Sequence, residues 1–429
     1  MTDRIAVISG ARTPMAKAQG ALREHRADDL AAFAVKETLA RAEIDPAECG
    51  EVVFGSVAQP LDTPNIARAI ALKAGLGAET QAYSLQRNCA SGVEALRAAS
   101  ARLQSGEITA AIAGGTESLS NIPFLFGHEY ARFWAEYKAA RSRRARLRNL
   151  LQFRPSFVKP VLGTRKLLTD ATTGLLMGDT AEILAREFRI SRTEQDEYAR
   201  ESHSRATAAA SEGLFRPETI AVPIPPSYAE MLELDHGPRS NTTAEQFAAL
   251  KPSFNRHTGT VTAGNSSPLS DGAAAVLLMR EQEAKERGLE PLGFIRAQVS
   301  AALDPARMGL GAVYAVARLL DRTGTEPSDF ELIELNEAFA SVVLANERAF
   351  ASQRFARTEL GRSRALGAID RDRLNVNGGA IALGHPLAMS GVRLVLHLLY
   401  ELRRREKNAG LATLCVGGGE GAAVMVEVA

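Results

Sequence analysis

Two stretches of the chain, far apart in the sequence, repeat the same local plan. Ser91–Val93 opens a helical pattern that is followed by the strand-like run AAIAGG and by Glu117, and Ser390–Val392 opens a helical pattern that is followed by LATLCVGGGEG. Internal repetition of a whole unit constrains a fold more than any single motif does. It predicts two similar halves, and it places Cys89 and His385 at equivalent positions, each just ahead of a helix.

Short apolar runs alternate with helical patterns in both halves, which predicts an α/β layered architecture. A stretch from about residue 121 to 255 interrupts the alternation. We therefore expect an N-terminal half over 1–120, an inserted loop domain over 121–255 whose last strands return to the first half up to about 280, and a C-terminal half over 281–429. The predicted strands are Ile5–Ser9, Glu51–Val57, Ala82–Gln86, Ala110–Ala113, Ala274–Met279, Phe294–Ala301, Phe330–Glu334, Leu411–Val416 and Ala422–Val428, and the predicted first-half helices are Asp28–Ala42, Asn65–Ala74 and Ala90–Ser105.

The inserted stretch is strongly basic between Arg132 and Lys166, where the sequence contains eleven Lys or Arg residues and only one acidic residue, Glu136. Phe, Trp, Tyr and Leu residues are interleaved with the basic ones. One interpretation is a solvated helical face. The functional alternatives are binding to an anionic membrane surface, to the phosphates of coenzyme A or to a partner protein, and the aromatic residues favour a membrane or a partner.

The three cysteines, Cys49, Cys89 and Cys415, are too few and too far apart for a disulfide framework, and their spacing matches no paired zinc-ligand motif. We therefore expect a reducing compartment. The N-terminal residues do not have the pattern of a signal peptide, and no apolar run reaches the roughly 18 residues that span a bilayer. A cytoplasmic protein is expected, and the formal net charge of +1 gives no reason to expect nucleic acid as a partner.

Cys89 stands in the segment QRNCASG, where a predicted strand ends and a helix begins. The unpaired N–H groups and the positive dipole end of a helix start both favour a thiolate over a thiol. A thiolate is a strong nucleophile. The competing interpretation is a small buried apolar residue, which is the usual role of a free cysteine.

His385 ends the segment NVNGGAIALGH, directly before the helix of the second repeat. Its glycines indicate close approach of the backbone to another group, and an imidazole with a pKa near neutrality is suited to take a proton from a thiol. A lone histidine at a turn is more often structural. A functional role for His385 is favoured because it occupies, in the second repeat, the position that Cys89 occupies in the first.

Two further strand ends carry candidate residues. Cys415 precedes VGGGEG, whose spacing fits neither the P-loop nor the dinucleotide-binding motif. A second thiol is suited to acid/base work on a substrate carbon, and the backbone amides of Cys89 and Gly417 are candidates to hold an oxyanion. Asn336, in ELNEAFA, is suited either to fix a catalytic water or to cap a helix.

The motifs NCASG, NEAFA, NGGAIALGHP and CVGGGEG, in this order, resemble those of the thiolase family, and the resemblance runs from residue 5 to 428. It implies the thiolase fold, in which two duplicated αβαβα halves form a five-layered core that carries an inserted loop domain. It implies Cys89 as the acylated nucleophile, His385 as its activating base and Cys415 as the acid/base at the attacking carbon. Asn336 would hold a water that completes an oxyanion hole with His385.

The resemblance also implies how the substrate is bound. The segment TAGNSS is similar to the pantetheine-contacting loop of the family, and we expect Ser267 and Ala263 to contact CoA. No metal or redox cofactor is implied, because CoA is a substrate. The chain departs from the family pattern at Leu387–Met389 and at Leu176. Both departures fall where the acyl or pantetheine group is expected, so they bear on chain length and not on reaction type.

The implied function is an acyl-CoA:acetyl-CoA C-acyltransferase of fatty-acid β-oxidation, which cleaves 3-oxoacyl-CoA with CoA. Ala349–Asp372 and Asp235–Arg239 resemble thiolase subunits of the fatty-acid oxidation multienzyme complex, whose inserted stretch is linked with membrane contact or with the hydratase/dehydrogenase subunit. The resemblance implies a homodimer or a larger oligomer. The alternatives are an acetoacetyl-CoA-forming acetyl-CoA C-acetyltransferase, a β-ketoadipyl-CoA-type thiolase, a ketoacyl synthase, which Cys415 disfavours, and a thiolase-like subunit without catalysis.

Overall fold

Strands from both repeated units join into one ten-stranded sheet in the computed structural model, which describes residues 4–428. The order along the sheet is β12-β13-β14-β11-β1-β10-β5-β3-β4, and β2 pairs with β10. The strands are β1 (Ile5–Arg12), β2 (Ala16–Lys17), β3 (Glu51–Gly55), β4 (Gln81–Leu85), β5 (Ala110–Ser118), β6 (Phe124–Leu125), β7 (Val161–Leu162), β8 (Val222–Pro223), β9 (Met231–Leu232), β10 (Ser270–Arg280), β11 (Gly293–Ala302), β12 (Leu332–Leu335), β13 (Ala409–Val416) and β14 (Glu420–Glu427).

Helices connect these strands, and all the strands and helices predicted from the sequence are present with their ends shifted by a few residues. The helices are α1 (Ala27–Ala42), α2 (Ile66–Ala74), α3 (Ser91–Gln104), α4 (His128–Ala139), α5 (Arg143–Leu150), α6 (Gly163–Leu167), α7 (Met177–Glu187), α8 (Arg192–Ser211), α9 (Ala244–Ala248), α10 (Glu281–Glu286), α11 (Gly311–Thr323), α12 (Ala340–Ala351), α13 (Gln353–Glu359), α14 (Ala380–Leu383) and α15 (Leu387–Arg404).

Apolar cores fill the spaces between the layers of the described chain. Helices α3 and α15 share a central core with strands of both repeats, which includes Leu96 and Leu396. The outer helices α1 and α2 cover the first repeat, and α11 and α12 cover the second. Most residues of α15 are buried, because this helix packs both against β5 of the first repeat and against β13 of the second, which are distant strands of the sheet. The predicted five-layered core of two similar halves is confirmed, while the division into 1–120, 121–255 and 281–429 stays a prediction.

Two glycines allow the backbone around the N-terminal ends of the two central helices to pack closely. A Cβ atom on Gly92 would lie 2.4 Å from the carbonyl oxygen of Ala388, and one on Gly115 would lie 2.0 Å from the same atom. Neither distance is tolerated by a real side chain, so Gly92 is needed for the starts of α3 and α15 to approach each other, and Gly115 is needed for β5 to approach the start of α15. The result is that Cys89, just before α3, and His385, just before α15, lie at the same end of the central layer.

The basic stretch folds into a separate helical excursion. Helices α4 and α5 pack against each other, and the short strands β6 and β7 pair at its base. Phe133 is buried beneath Trp134, Phe153 and Phe157, whose rings meet it at 5.3–6.1 Å. Within residues 4–428, no helix is both long enough and apolar enough to cross a membrane.

Candidate active site

A cavity of about 410 Å³ lies at the N-terminal ends of α3 and α15, and it brings together residues from separate sequence motifs. Cys89, His385 and Cys415 all line it, together with Gly417. Its walls are mainly apolar and include both predicted CoA contacts. The other lining residues are Thr164, Arg165, Leu168, Leu176, Met177, Gly178, Ser253, Phe254, Thr262, Ala263, Ser266, Ser267, Pro268, Leu269, Met308, Ala338, Phe339 and Leu387.

The loop between β4 and α3 presents Cys89 to this cavity. Asn88, with a φ of 42°, turns the chain through the left-handed region, and its side-chain amide donates to the carbonyl oxygen of Gly417 at 2.6 Å. Burial raises the pKa of the Cys89 thiol to about 11, although backbone hydrogen bonds from Gly417 and from Cys89 itself lower it. The expectation of a resting thiolate is therefore wrong. The amide of Cys89, just before α3, acts in the predicted direction, and so does that of Gly417 in the turn after β13, but the loss of solvent outweighs both.

His385 is held from both sides of its ring. Its Nδ1 is 2.6 Å from the hydroxyl of Ser390, one turn into α15, and its Nε2 is 3.4 Å from the side-chain Nδ2 of Asn336. Burial, with a further contribution from Arg393, lowers the pKa of His385 to about 4. The expected near-neutral pKa is wrong for the same reason as at Cys89: burial disfavours the charged form. The imidazole is neutral at physiological pH.

Cys415, at the end of β13, is 3% exposed, and burial together with the proximity of Cys89 raises its pKa to about 12. Its thiol is therefore protonated in the resting protein. The strand ends in the glycine-rich turn, where Gly418 and Gly419 have φ values of 94° and 83° that favour glycine. This turn positions the backbone of Gly417 beside the Cys89 sulfur.

Asn336 lies behind His385 and is fully buried. The helix that follows it, α12, begins at Ala340 with Phe339 at its cap position, so the alternative of Asn336 as a helix cap is wrong. Its Oδ1 is buried and makes no hydrogen bond to another described residue. Asn336 itself does not line the cavity, but a buried amide with one free polar atom beside the imidazole is suited to hold a polar group next to His385.

Sequence reasoning missed the residues that support these side chains. The sequence pattern marks Ser390 only as a helix start, although its spacing of five residues from His385 is a usable signal for the contact. Glu337 accepts hydrogen bonds from Tyr198, Ser202 and Asn375 and from the backbone of Ile381, and so ties the Asn336 loop to the histidine motif. This set of partners converges only in three dimensions.

A buried ionic network lies beneath the histidine motif. Arg12 donates to Glu218 at 2.7 Å and to both carboxylate oxygens of Asp235, and Glu218 also contacts His397 at 3.0 Å. The Nε2 atom of His397 is 3.2 Å from the side-chain amide of Asn377, in the motif itself. We call these five residues the Arg12 network. Through it, Asp235 of the run Asp235–Arg239 is connected to the histidine motif.

Comparisons with known proteins agree with this geometry. The thiolase N-terminal domain model matches residues 5–282 and the thiolase C-terminal domain model matches residues 289–428. A 3-ketoacyl-CoA thiolase of Serratia proteamaculans is 44% identical over 99% of this chain and 97% of its own length, and one of Yersinia enterocolitica is 43% identical with the same coverage.

Solved structures agree as well. An acetyl-CoA acetyltransferase of Bacillus anthracis superposes with a TM-score of 0.87 at 34% identity, covering 100% of this chain and 99% of that one. Human mitochondrial 3-ketoacyl-CoA thiolase in complex with CoA superposes with a TM-score of 0.86 at 33% identity, covering 100% and 98%. The fold, the convergent motifs and these relatives lead to one conclusion: the chain belongs to the thiolase family.

Proposed function

We propose that the chain is a 3-ketoacyl-CoA thiolase, an acyl-CoA:acetyl-CoA C-acyltransferase of fatty-acid β-oxidation. It cleaves a 3-oxoacyl-CoA with CoA to acetyl-CoA and a shortened acyl-CoA. The observation that carries the proposal is the convergence of Cys89, His385 and Cys415 on one mainly apolar cavity. Near-full-length relatives that are named 3-ketoacyl-CoA thiolase support it.

In the first half-reaction, Nε2 of His385 takes the proton of Cys89, and the thiolate attacks the C3 carbonyl of the substrate. The backbone N–H groups of Cys89 and Gly417 stabilise the oxyanion. The C2–C3 bond then breaks, and its electrons form the enolate of acetyl-CoA beside His385 and the water held by Asn336. Cys415 protonates C2, so that acetyl-CoA leaves and the acyl group remains as a thioester on Cys89.

In the second half-reaction, CoA enters and its thiol gives a proton to the Cys415 thiolate. The CoA sulfur attacks the thioester, and the same two backbone N–H groups hold the new oxyanion. The tetrahedral intermediate expels the Cys89 thiolate, which recovers its proton from His385. Each group thereby returns to the neutral resting form that its shifted pKa indicates.

The walls of the cavity favour an acyl chain longer than acetyl. Leu168, Leu176 and Leu387 all line it, so both departures from the family pattern contribute apolar surface there. Ser267 and Ala263 line the same cavity, where we propose that they contact the pantetheine of CoA. Each further methylene of the acyl chain that is buried contributes about 0.8 kcal/mol to binding, which corresponds to about a fourfold preference for the longer substrate.

The reaction is tested by thiolysis of 3-oxoacyl-CoAs of short, medium and long chain length. We expect cleavage to improve beyond acetoacetyl-CoA and to be lost in Cys89→Ala. The matched control is Cys49→Ala, because Cys49 is a buried cysteine outside the cavity whose thiol donates to the carbonyl of Glu51. Cleavage of acetoacetyl-CoA alone would favour the acetyltransferase alternative, and cleavage by Cys89→Ala would overturn the mechanism.

For the helical excursion we propose peripheral contact of a cytoplasmic enzyme with an anionic membrane. Leu147 and Leu151 are 61% and 80% exposed, and within the described chain only Arg132 of the eleven basic residues forms an ion pair. Exposed apolar side chains among unpaired cations suit an interface with acidic lipids. Its partner could instead be a hydratase/dehydrogenase subunit, which co-purification would reveal.

Liposome sedimentation tests the membrane contact. Replacing Arg141, Arg143, Arg144 and Arg146 with Gln should weaken binding to phosphatidylserine vesicles at low salt and leave thiolysis of a short substrate unchanged. The control replaces four exposed basic residues elsewhere with Gln: Lys36, Arg97, Arg354 and Arg364. Equal binding by both variants and the unaltered protein would contradict the proposal.

We also propose that the enzyme is a homodimer or a larger oligomer. Strand β4 lies at the edge of the sheet, and its residues Gln81–Leu85 are exposed or half-buried. An exposed edge strand immediately before the Cys89 loop is suited to pairing with a second copy of the chain. Light scattering on the purified protein tests this, and a monomeric mass at micromolar concentration would contradict it.

A further inference from the structure

Glu117, at the end of β5, is a fully buried carboxylate that the reaction above does not use. It forms no ion pair with any residue in the part of the chain that the structure describes. Its oxygens accept three backbone hydrogen bonds instead: from Ala58 at 2.8 Å, from Val57 at 3.1 Å and from Ala388 at 3.3 Å. A buried charge without a counter-ion is costly and needs an explanation.

The donors come from two elements that surround the nucleophile. Val57 and Ala58 belong to the loop that follows β3 in the first repeat, whereas Ala388 is in the first turn of α15 in the second repeat. Val57 and Ala388 also form a small apolar cluster against which Cys89 packs. Glu117 therefore fastens both repeats together directly behind the catalytic thiol.

We propose that Glu117 is a positioning residue for the nucleophile: its carboxylate holds the 57–58 loop against the start of α15, and its charge opposes formation of the Cys89 thiolate. The proposal rests on the role of Cys89 proposed above. The proposal extends that role, because it identifies Glu117 as the group that keeps Cys89 in place and protonated before the substrate is attacked.

The charges around Glu117 support this assignment. Cys89 packs against the cluster that contains two of the residues bonded to Glu117, and the carboxylate raises the pKa of that thiol in addition to the effect of burial. His385 precedes the first turn of α15 and is neutral. On the adjoining strand β10, Asp271 pairs with Ser118 and so lies on the opposite face of the sheet from Glu117. Because burial raises the pKa of Glu117 to about 7, its charge changes near physiological pH.

Alkylation of Cys89 by iodoacetamide, followed site by site with peptide mass spectrometry, tests the proposal without any substrate. Glu117→Gln keeps the shape of the side chain and removes its charge, but it also replaces one of the two acceptor oxygens with an N–H donor that faces a backbone N–H. We expect Cys89 to react about three- to tenfold faster at pH 8, since a lower thiol pKa raises the thiolate fraction more than it lowers nucleophilicity. An unchanged or slower rate would overturn the proposal.

The matched control is Glu182→Gln. Glu182 is also buried and accepts backbone hydrogen bonds from Thr260 and Val261, but it is outside the cluster that holds Cys89. Its two backbone donors share one oxygen, so Gln keeps both bonds and removes only the charge; this variant should leave the alkylation rate of Cys89 unchanged. A rise of the same size in both variants would mean general loosening and would also overturn the proposal.

The unaltered enzyme provides a second test that does not depend on the folding of a variant. A single titrating thiol gives a slope of one when the logarithm of the Cys89 alkylation rate is plotted against pH. Coupling to Glu117 should make the slope smaller than one between about pH 6 and 8. A slope of one throughout would contradict the coupling, whereas thiolysis by Cys89→Ala would refute the proposed function and leave the alkylation result standing.

Discussion

Ser390→Ala should reduce turnover by removing the hydrogen bond that orients the catalytic imidazole. The hydroxyl of Ser390 is 2.6 Å from Nδ1 of His385, and both side chains are buried. When Nδ1–H donates to this hydroxyl, Nε2 is left as the free base that faces the cavity and Asn336. Without Ser390 the imidazole loses the group that selects this tautomer.

The size of the effect follows from the strength of one buried hydrogen bond. A net contribution of about 1.5 kcal/mol corresponds to about a tenfold loss of kcat, because each 1.36 kcal/mol changes a rate tenfold. The KM for the 3-oxoacyl-CoA should change less than threefold, because Ser390 does not line the cavity. The unpartnered Nδ1 of His385 should also lower the melting temperature by about 2 °C.

Steady-state thiolysis and thermal unfolding of the same preparations measure both effects. Ser100→Ala is the control, because Ser100 is also a buried serine of a central helix, donates at 2.7 Å to Leu96, and has no contact with the imidazole. It should lose stability and keep its kcat. If Ser390→Ala folds and retains the kcat of the unaltered enzyme, the argument that this hydrogen bond orients His385 is refuted.

Three further predictions follow from the same structure. Gly237→Ala should lower both kcat and the melting temperature, because its Cβ would lie 2.1 Å from the carbonyl oxygen of Ala382 in the histidine motif; unaltered thiolysis and melting would contradict this. Burial raises the pKa of Glu218, but its partners in the Arg12 network outweigh burial and lower it to about 2. Stability from this depressed pKa is present above pH 5 and lost as pH falls toward 2. The free energy of unfolding of Glu218→Gln, measured with urea, should therefore change by about 2–3 kcal/mol less over this pH range than that of the unaltered protein; an identical pH profile would count against it. Cys415→Ala should lower carbon–carbon cleavage at least 100-fold and should also lower acyl exchange between CoA and Cys89, because Cys415 exchanges a proton both with C2 and with the CoA thiol; unaltered cleavage would argue against its assigned role.

The sequence predicted the order of elements and the convergence of the site, because both follow from a local pattern that occurs twice. Strand ends and helix starts around Cys89 and His385 are set by nearby residues, and glycines mark the close approaches. Repetition then supplies the relation between halves, without any knowledge of long-range contacts. The repeat therefore predicted that Cys89 and His385 converge, whereas the roles proposed for them came from the resemblance of the motifs to the thiolase family.

The pKa values and the supporting residues could not be read from the sequence. The thiol of Cys89 and the imidazole of His385 are both shifted by burial, which depends on how two sheet layers enclose α3 and α15. Glu117 and Glu337 satisfy backbone donors that are far away along the chain. Such partners have no spacing signature, since only the packed fold brings them together.

The most direct test of the account is the mass of the enzyme after reaction with a 3-oxoacyl-CoA in the absence of free CoA. The account predicts release of one acetyl-CoA per active site and an added mass equal to the shortened acyl group, located on the peptide that contains Cys89 and removed when CoA is added. Release of acetyl-CoA without an adduct, or an adduct on Cys415 or Cys49, would contradict the central claim that Cys89 carries the acyl group.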